Sequence, residues 1–180
     1  FALKLAVGKE LERLLSQGTI EPIDPAVTPI EWASPLIVAP KANGKIRLCA
    51  DFKVTINKYI VMDMHPLPTF EEVSTHLSGG EQFSVIDLRD AYLQLEVEDV
   101  SKKYLVLSTH KGFFRYKRMP FGISSAPAKF QKTMEIILAG VEGVNCYLDD
   151  IIVTARNREA HIKTLEEVLS RFSKAGMRVQ

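Results

Sequence analysis

Apolar residues recur at helical spacing near the start of the chain, with Leu3, Val7, Leu11, Leu14 and Leu15 on one face and Gly18 as the stop. That pattern predicts an amphipathic helix over residues 3–17. Pro22, Pro25, Pro29 and Pro35 then predict an extended, irregular stretch from residue 19 to residue 35. Two short apolar runs follow, 36–39 and 46–50, joined by Ala42-Asn43-Gly44-Lys45. Asn-Gly tolerates the positive φ angles of a tight hairpin turn, so these runs read as paired strands. Thr69-Phe70-Glu71-Glu72 is a capping-box start for a short helix ending at Gly79-Gly80. Further strands are expected at 83–87, at 93–97, and at 104–108 and 113–117 around the turn Thr109-His110-Lys111-Gly112. Ser124 or Ser125 is expected to cap a helix to about Leu138, with Pro127 in its first turn and Gly140 and Gly143 closing it. Ile162, Leu165, Val168, Leu169 and Phe172 define a last helix, ended by Gly176, and Met177 opens another strand. The layout, antiparallel hairpins with interspersed helices, is α+β.

Two segments break the apolar pattern in the same way. Asn145-Cys146-Tyr147-Leu148-Asp149-Asp150-Ile151-Ile152-Val153 sets two adjacent carboxylates between β-prone runs, which reads as a hairpin with an acidic tip. Phe83-Ser84-Val85-Ile86-Asp87-Leu88 is likewise an apolar strand ending in Asp. Side by side, these strands are expected to bring three carboxylates to one spot. Such carboxylates repel one another, and a bound divalent ion relieves the repulsion. Hard oxygen ligands suit Mg²⁺ or Mn²⁺, and a two-ion site is one used for nucleotidyl transfer. An Asp-Asp pair alone is an ordinary turn feature. It is Asp87 in matching context that turns the reading toward a site.

The bulk numbers set wider bounds. A chain of 180 residues fits one domain or two small lobes, and 46% hydrophobic residues suffice for a core. The net charge of +1 argues neither for nor against nucleic acid, because a basic face hides easily in a neutral total. Cys49 and Cys146 lie inside apolar strand-like runs and read as buried, reduced thiols. No apolar run reaches membrane-span length. His65, His76, His110 and His161 lack metal-ligand spacing. The basic residues Lys111, Arg115, Lys117, Arg118, Lys129 and Lys132, interleaved with Phe113, Phe114 and Tyr116, are of a kind that tracks a phosphate backbone, although a solvated face is the plainer reading of each. The chain opens on Phe1, as a piece of a longer protein would.

With these segments the chain resembles the reverse transcriptases of gypsy-type LTR retrotransposons, relatives of retroviral polymerases. Tyr147-Leu148-Asp149-Asp150 is similar to the family's Tyr-x-Asp-Asp motif, and the segment from Phe83 to Tyr92 to its first palm motif. Arg118-Met119-Pro120-Phe121-Gly122-Ile123-Ser124-Ser125-Ala126-Pro127-Ala128-Lys129-Phe130-Gln131 is similar to the motif leading into the templating helix. Trp32-Ala33-Ser34-Pro35 and Arg47-Leu48-Cys49-Ala50-Asp51-Phe52 match the fingers. The motifs run in the family's order over essentially the whole chain.

The resemblance implies a right-hand polymerase made of fingers and palm, with an antiparallel palm sheet packed on helices. Residues 1–82 would be mostly fingers, 83–112 palm, 113–130 the junction, and 131–180 palm, stopping before the primer grip and thumb. It implies Asp87, Asp149 and Asp150 as catalytic aspartates and as ligands of two Mg²⁺ or Mn²⁺ ions. Lys41 and Arg47 would reach the triphosphate, Asp90, Ala91, Phe121 and Gly122 would line the nucleotide pocket, and Tyr92 would be the aromatic gate against a 2′-hydroxyl. Phe121 stands where retroviral relatives carry Gln; the gypsy branch commonly has an aromatic there. Tyr147, Pro127 and Lys129 would touch nucleic acid. Implied partners are an RNA or DNA template with its primer and a dNTP; ribonuclease H and integrase domains would lie outside this chain, with no membrane association and a location in a cytoplasmic virus-like particle. The implied activity is RNA-directed and DNA-directed DNA synthesis, with this piece alone poorly processive or inactive. Two rivals are a silent polymerase-fold module that binds nucleic acid or a partner, and a carboxylate metal enzyme such as a phosphatase or nuclease.

Overall fold

The computed structural model describes residues 2–40, 44, 46–62 and 65–180, in two compact units. The first unit comprises residues 1–62 and 95–126. Its first helix, α1 (Ala2–Ser16), buries Val7, Leu11 and Leu14, the stripe that the helical spacing predicts. The unit's sheet contains β1 (Ile20–Ile23), β2 (Ser34–Pro40), β3 (Ile46–Ala50), β5 (Val106–Thr109) and β6 (Gly112–Tyr116), in the order β1-β6-β5-β2-β3. Its pairs are antiparallel except β2 with β5, which run parallel. The stretch expected to be irregular thus contains a strand. Pro22 is tolerated there because β1 is an edge strand, where one side of the backbone has no ladder partner. Leu11, Ile20, Phe52, Leu107 and Tyr116 form the dry centre of this unit. Trp32 packs edge-on between Tyr59 and Tyr104, with ring centroids 5.3 and 6.2 Å away, which agrees with a packing role.

The second unit comprises residues 63–94 and 127–180. Its sheet joins β4 (Gln82–Asp87), β7 (Val144–Tyr147) and β8 (Asp150–Ala155) in the order β4-β8-β7, fully antiparallel. Helix α2 (Phe70–Leu77) starts on the predicted capping box: Thr69 and Glu72 each bond the other's backbone N–H. Helix α5 (Arg158–Lys174) is capped by the Asn157 side chain, which accepts from the Ala160 N–H. Helix α4 (Ala126–Leu138) buries Phe130, Gln131 and Met134. Arg171 on α5 donates to the carbonyls of Ile137 and Ala139 at the end of α4, supplying partners that a helix C-terminus lacks.

Four more expectations change. Residues 93–97 do not form a strand: Ala91–Gln94 is a 3₁₀ turn, and Glu96 makes only an isolated bridge to Arg118. The Gln94 side chain donates to the carbonyls of Arg89 and Arg178 and accepts from the Arg178 N–H, which holds the segment curled. The stripe on α5 is rotated: Val168 and Phe172 are buried, but Ile162 and Leu169 are 45% exposed, and His161 takes the inward place. A short helix, α3 (Asp99–Lys102), lies where none is expected. Ser124 does not cap α4: its hydroxyl has no hydrogen-bond partner, while its N–H donates to Asn57.

Candidate active site

The acidic residues are placed by strand register. β4 and β8 pair so that Asp87 lies opposite Asp150, and β7 pairs with β8 so that Tyr147 also lies opposite Asp150. Residues directly opposed across an antiparallel pair share a face, with Cβ atoms roughly 5 Å apart. Tyr147, Asp150 and Asp87 therefore form one cross-strand row at the end of the sheet. Phe83 and Val85, four and two positions back from Asp87, continue that face and are 55% and 66% exposed. The opposite face carries Ile86, Ile151 and Val153 toward the core.

The carboxylates of Asp87, Asp149 and Asp150 are exposed rather than buried, and among the described residues no cationic side chain forms an ion pair with them. The register sets two of the three expected carboxylate residues, Asp87 and Asp150, directly opposite each other. No group of three or more His, Cys, Asp or Glu side chains among the described residues is close enough to hold a metal. Asp149 stands in the turn directly before Asp150, outside the β8 ladder that sets Asp150 opposite Asp87. Asp87 and Asp150, hard oxygen donors on paired strands with no cation paired to them among the described residues, fit a divalent ion; Asp149 stands in the turn beside them.

The turn itself is unusual. Leu148 has φ +57°, a left-handed conformation that residues with a Cβ rarely adopt. Its N–H donates to Gln131 Oε1 at 3.1 Å, and its carbonyl accepts from the Cys146 thiol at 3.3 Å. Tyr92 lies in the 3₁₀ turn after β4, with its ring edge-on to Phe130 at 5.2 Å. Burial raises the Tyr92 phenol above its ordinary pKa, and the charge of Asp149 pushes it the same way. The phenol therefore stays protonated and feels the turn carboxylate. Ala91 is buried beneath this turn, and Asp90 has φ +46° and accepts the Leu93 N–H at its carbonyl. Pro127 is half-buried and Lys129 exposed in the first turns of α4.

The remaining predicted residues lie in the first unit. The Arg47 guanidinium stands over the Phe121 ring, 4.7 Å from its centroid. Gly122 has φ +94°, and a Cβ there would meet the Ala50 carbonyl at 3.4 Å. Backbone conformation more than space requires glycine at this position. Asn57 fixes the loop: its Nδ2 donates to the Gly122 carbonyl at 2.8 Å and its Oδ1 accepts the Ser124 N–H at 3.1 Å. Lys41 and the Asn43 turn lie outside the described residues. Three of the basic residues are engaged by carboxylates: Lys111 by Glu12, Arg115 by Glu21 and Arg118 by Glu96. A solvated, paired face describes them.

Sequence reasoning missed Asn57 and Gln131. Both are single amides within otherwise ordinary segments. Gln131 at least carried a signal, a polar residue directly after Phe130 on the inward stripe of a helix.

Comparison with known proteins gives a consistent picture. Residues 39–180 match the family described as reverse transcriptase (RNA-dependent DNA polymerase). The chain is 46% identical over 176 residues to the uncharacterized protein K02A2.6 of Caenorhabditis elegans, covering 97% of this chain and 14% of that protein. It is 34% identical over 147 residues to the transposon Tf2-3 polyprotein of Schizosaccharomyces pombe, covering 81% of this chain and 11% of the polyprotein. The chain thus spans about one-seventh or less of these relatives' length. Among solved structures, a foamy viral protease–reverse transcriptase in complex with double-stranded DNA superposes with a TM-score of 0.88 at 23% identity, over 98% of this chain and 30% of that one. The selenomethionine-labelled prototype foamy virus protease–reverse transcriptase superposes with a TM-score of 0.86 at 21% identity, over 97% of this chain and 23% of that one. The fold is therefore the α+β fold of those enzymes, and by its match over residues 39–180 the chain belongs to the reverse transcriptase (RNA-dependent DNA polymerase) family.

Proposed function

We propose that the polypeptide carrying this chain is a retroelement RNA-directed DNA polymerase that also copies DNA, joining a dNTP to a primer 3′-hydroxyl. The observation that carries this reading is the register that sets Asp87 opposite Asp150 at the exposed end of the β4-β8-β7 sheet, with Asp149 and Tyr92 electrostatically coupled beside them. Asp87, Asp149 and Asp150 would hold two Mg²⁺ or Mn²⁺ ions, which when bound favour ionisation of the attacking hydroxyl and neutralise charge on the phosphates. No nucleophilic side chain is needed, since phosphoryl transfer depends mainly on positioning and charge neutralisation. Tyr92, kept protonated and buttressed by Phe130, supports a flat wall against the sugar that a 2′-hydroxyl would strike. Arg47, held over Phe121, is a planar cation suited to bidentate contact with phosphate oxygens. Template, primer and dNTP are the partners this chemistry requires.

Primer extension on poly(rA)·oligo(dT) with Mg²⁺ or Mn²⁺ tests the reading, comparing the full-length polypeptide with its Asp149→Asn variant. A neutral amide is a weaker ligand and does not balance cationic charge, so activity is expected to fall by about 100-fold or more. Equal extension by the two proteins would overturn it.

A further inference from the structure

Leu148 is placed by an arrangement that the catalytic reading does not use. It is the middle of the segment that carries Asp149, it has φ +57°, and it bears a side chain that disfavours this conformation. Something must hold it there. Gln131, 1% exposed on α4, accepts the Leu148 N–H and donates through Nε2 to the Cys146 carbonyl at 2.9 Å and to Glu135 Oε1 at 2.9 Å. Both faces of the amide are thereby fixed: rotated by half a turn, it would set N–H against N–H at Leu148 and oxygen against oxygen at Cys146. Glu135 is fixed in turn by His65, whose Nε2 lies 2.8 Å from its other oxygen. On the far side of Leu148 the Cys146 thiol donates to its carbonyl. Burial first, then the charges of Glu135, Asp149 and Asp150, push that thiol up to about 12, so near neutral pH it keeps the proton it donates.

We infer that Gln131 and Cys146 are positioning residues of the candidate active site: they clamp Leu148 at both its N–H and its carbonyl, and the clamp sets the direction in which Asp149 leaves the turn. The inference rests on reading Asp149 and Asp150 as the polymerase carboxylates, but its first test does not. That test is hydrogen exchange by mass spectrometry on the full-length polypeptide, read at peptides spanning residues 145–150. Gln131→Met keeps the length of the side chain and removes the acceptor. It is expected to speed exchange at Leu148 by about tenfold. Exchange within twofold of wild type in Gln131→Met, with peptides from α5 unchanged, would overturn the clamp. Should Gln131→Met loosen α5 as well, the same comparison is made with Cys146→Ala, expected to speed exchange several-fold at the turn alone; no change there overturns the clamp too.

The second readout separates positioning from mere packing. In primer extension Gln131→Met is expected to lower kcat by about tenfold and raise the half-saturating Mn²⁺ concentration several-fold, with the KM for dNTP unchanged. A purely structural role would reduce the active fraction and leave the Mn²⁺ dependence where it was, which would sink the positioning role. If wild type and Asp149→Asn both fail to extend primer, the polymerase reading falls, while the exchange comparison still decides whether the clamp exists.

Discussion

Leu148 and Gly122 both have positive φ, +57° and +94°, each stands among candidate site residues, and each is held by one amide side chain. The two braces differ in surroundings. Asn57 holds Gly122 through the carbonyl from a half-exposed 3₁₀ turn, and water can reach much of the loop. Gln131 holds Leu148 through the N–H from a position 1% exposed, with every polar atom of its amide matched. Glycine adopts positive φ at no steric penalty, so its brace need only select one conformation among several. Leucine pays about 1–2 kcal/mol for the left-handed region, so its brace must supply at least that much. A buried, fully matched amide can do so, because breaking it removes three hydrogen bonds at once.

The sharpest way to break this comparison is to delete both braces. Gln131→Ala removes the partners of the Leu148 N–H and the Cys146 carbonyl and leaves the volume of its side chain unfilled. It is expected to destabilise by about 3–4 kcal/mol. Asn57→Ala removes two hydrogen bonds that water partly restores, for about 1 kcal/mol. Urea titration of both variants at neutral pH measures the two losses on one scale. Equal losses would show that burial of the brace is not what separates the two turns.

The same contrast explains what could be read from the chain alone. Strand register follows from alternation and turn chemistry, and the β4–β8 pair with its acidic end was legible because Asp87 and Asp149-Asp150 each end or begin an apolar run. The capping box at Thr69 is likewise local, a pairing of residues three apart. The braces are not local. Gln131 meets Leu148 across 17 positions and Asn57 meets Ser124 across 67, and no periodicity records such pairings. The buried face of α5 was misread for a related reason: His161 is turned inward by a hydrogen bond to Ser84, 77 positions away, which rotates Ile162 outward. The placement of the third carboxylate is not legible in the sequence either. Sequence shows which acids share a neighbourhood, but the final approach of like charges depends on what lies between them.

Exchanging the residues at the two positive-φ positions sharpens the comparison further, at a smaller scale. Gly122→Ala puts a Cβ on φ +94°, 3.4 Å from the Ala50 carbonyl, and is expected to lose about 1–2 kcal/mol. Leu148→Gly relieves the left-handed conformation but frees the unfolded chain, so it is expected to stay within about 1 kcal/mol of wild type. Thermal melts of the pair decide the point. A loss at Leu148→Gly as large as that at Gly122→Ala would mean that the leucine side chain, not the brace, holds the turn.

The smallest expected effect concerns the second half of the clamp. The Cys146 thiol is raised to about 12 in the folded chain, chiefly by burial and then by Glu135, Asp149 and Asp150. In the unfolded chain it titrates near its ordinary value, about 8.5. Between these values the folded chain keeps a proton that the unfolded chain has lost. Its contribution is therefore complete below the unfolded pKa and declines as pH rises toward the folded one, at up to ~1.4 kcal/mol per pH unit. The Tyr116 phenol, raised by its burial in the first unit, contributes a slope of the same sign at higher pH. Cys146→Ala isolates the thiol: between about pH 9 and pH 11 the variant should lose stability less steeply than wild type, by ~1 kcal/mol per unit. Gln131 has no group titrating in that range, so its substitution should leave the slope unchanged. Parallel slopes for wild type and Cys146→Ala would mean that the thiol is not held protonated against Leu148, leaving Gln131 as the sole hold on the turn.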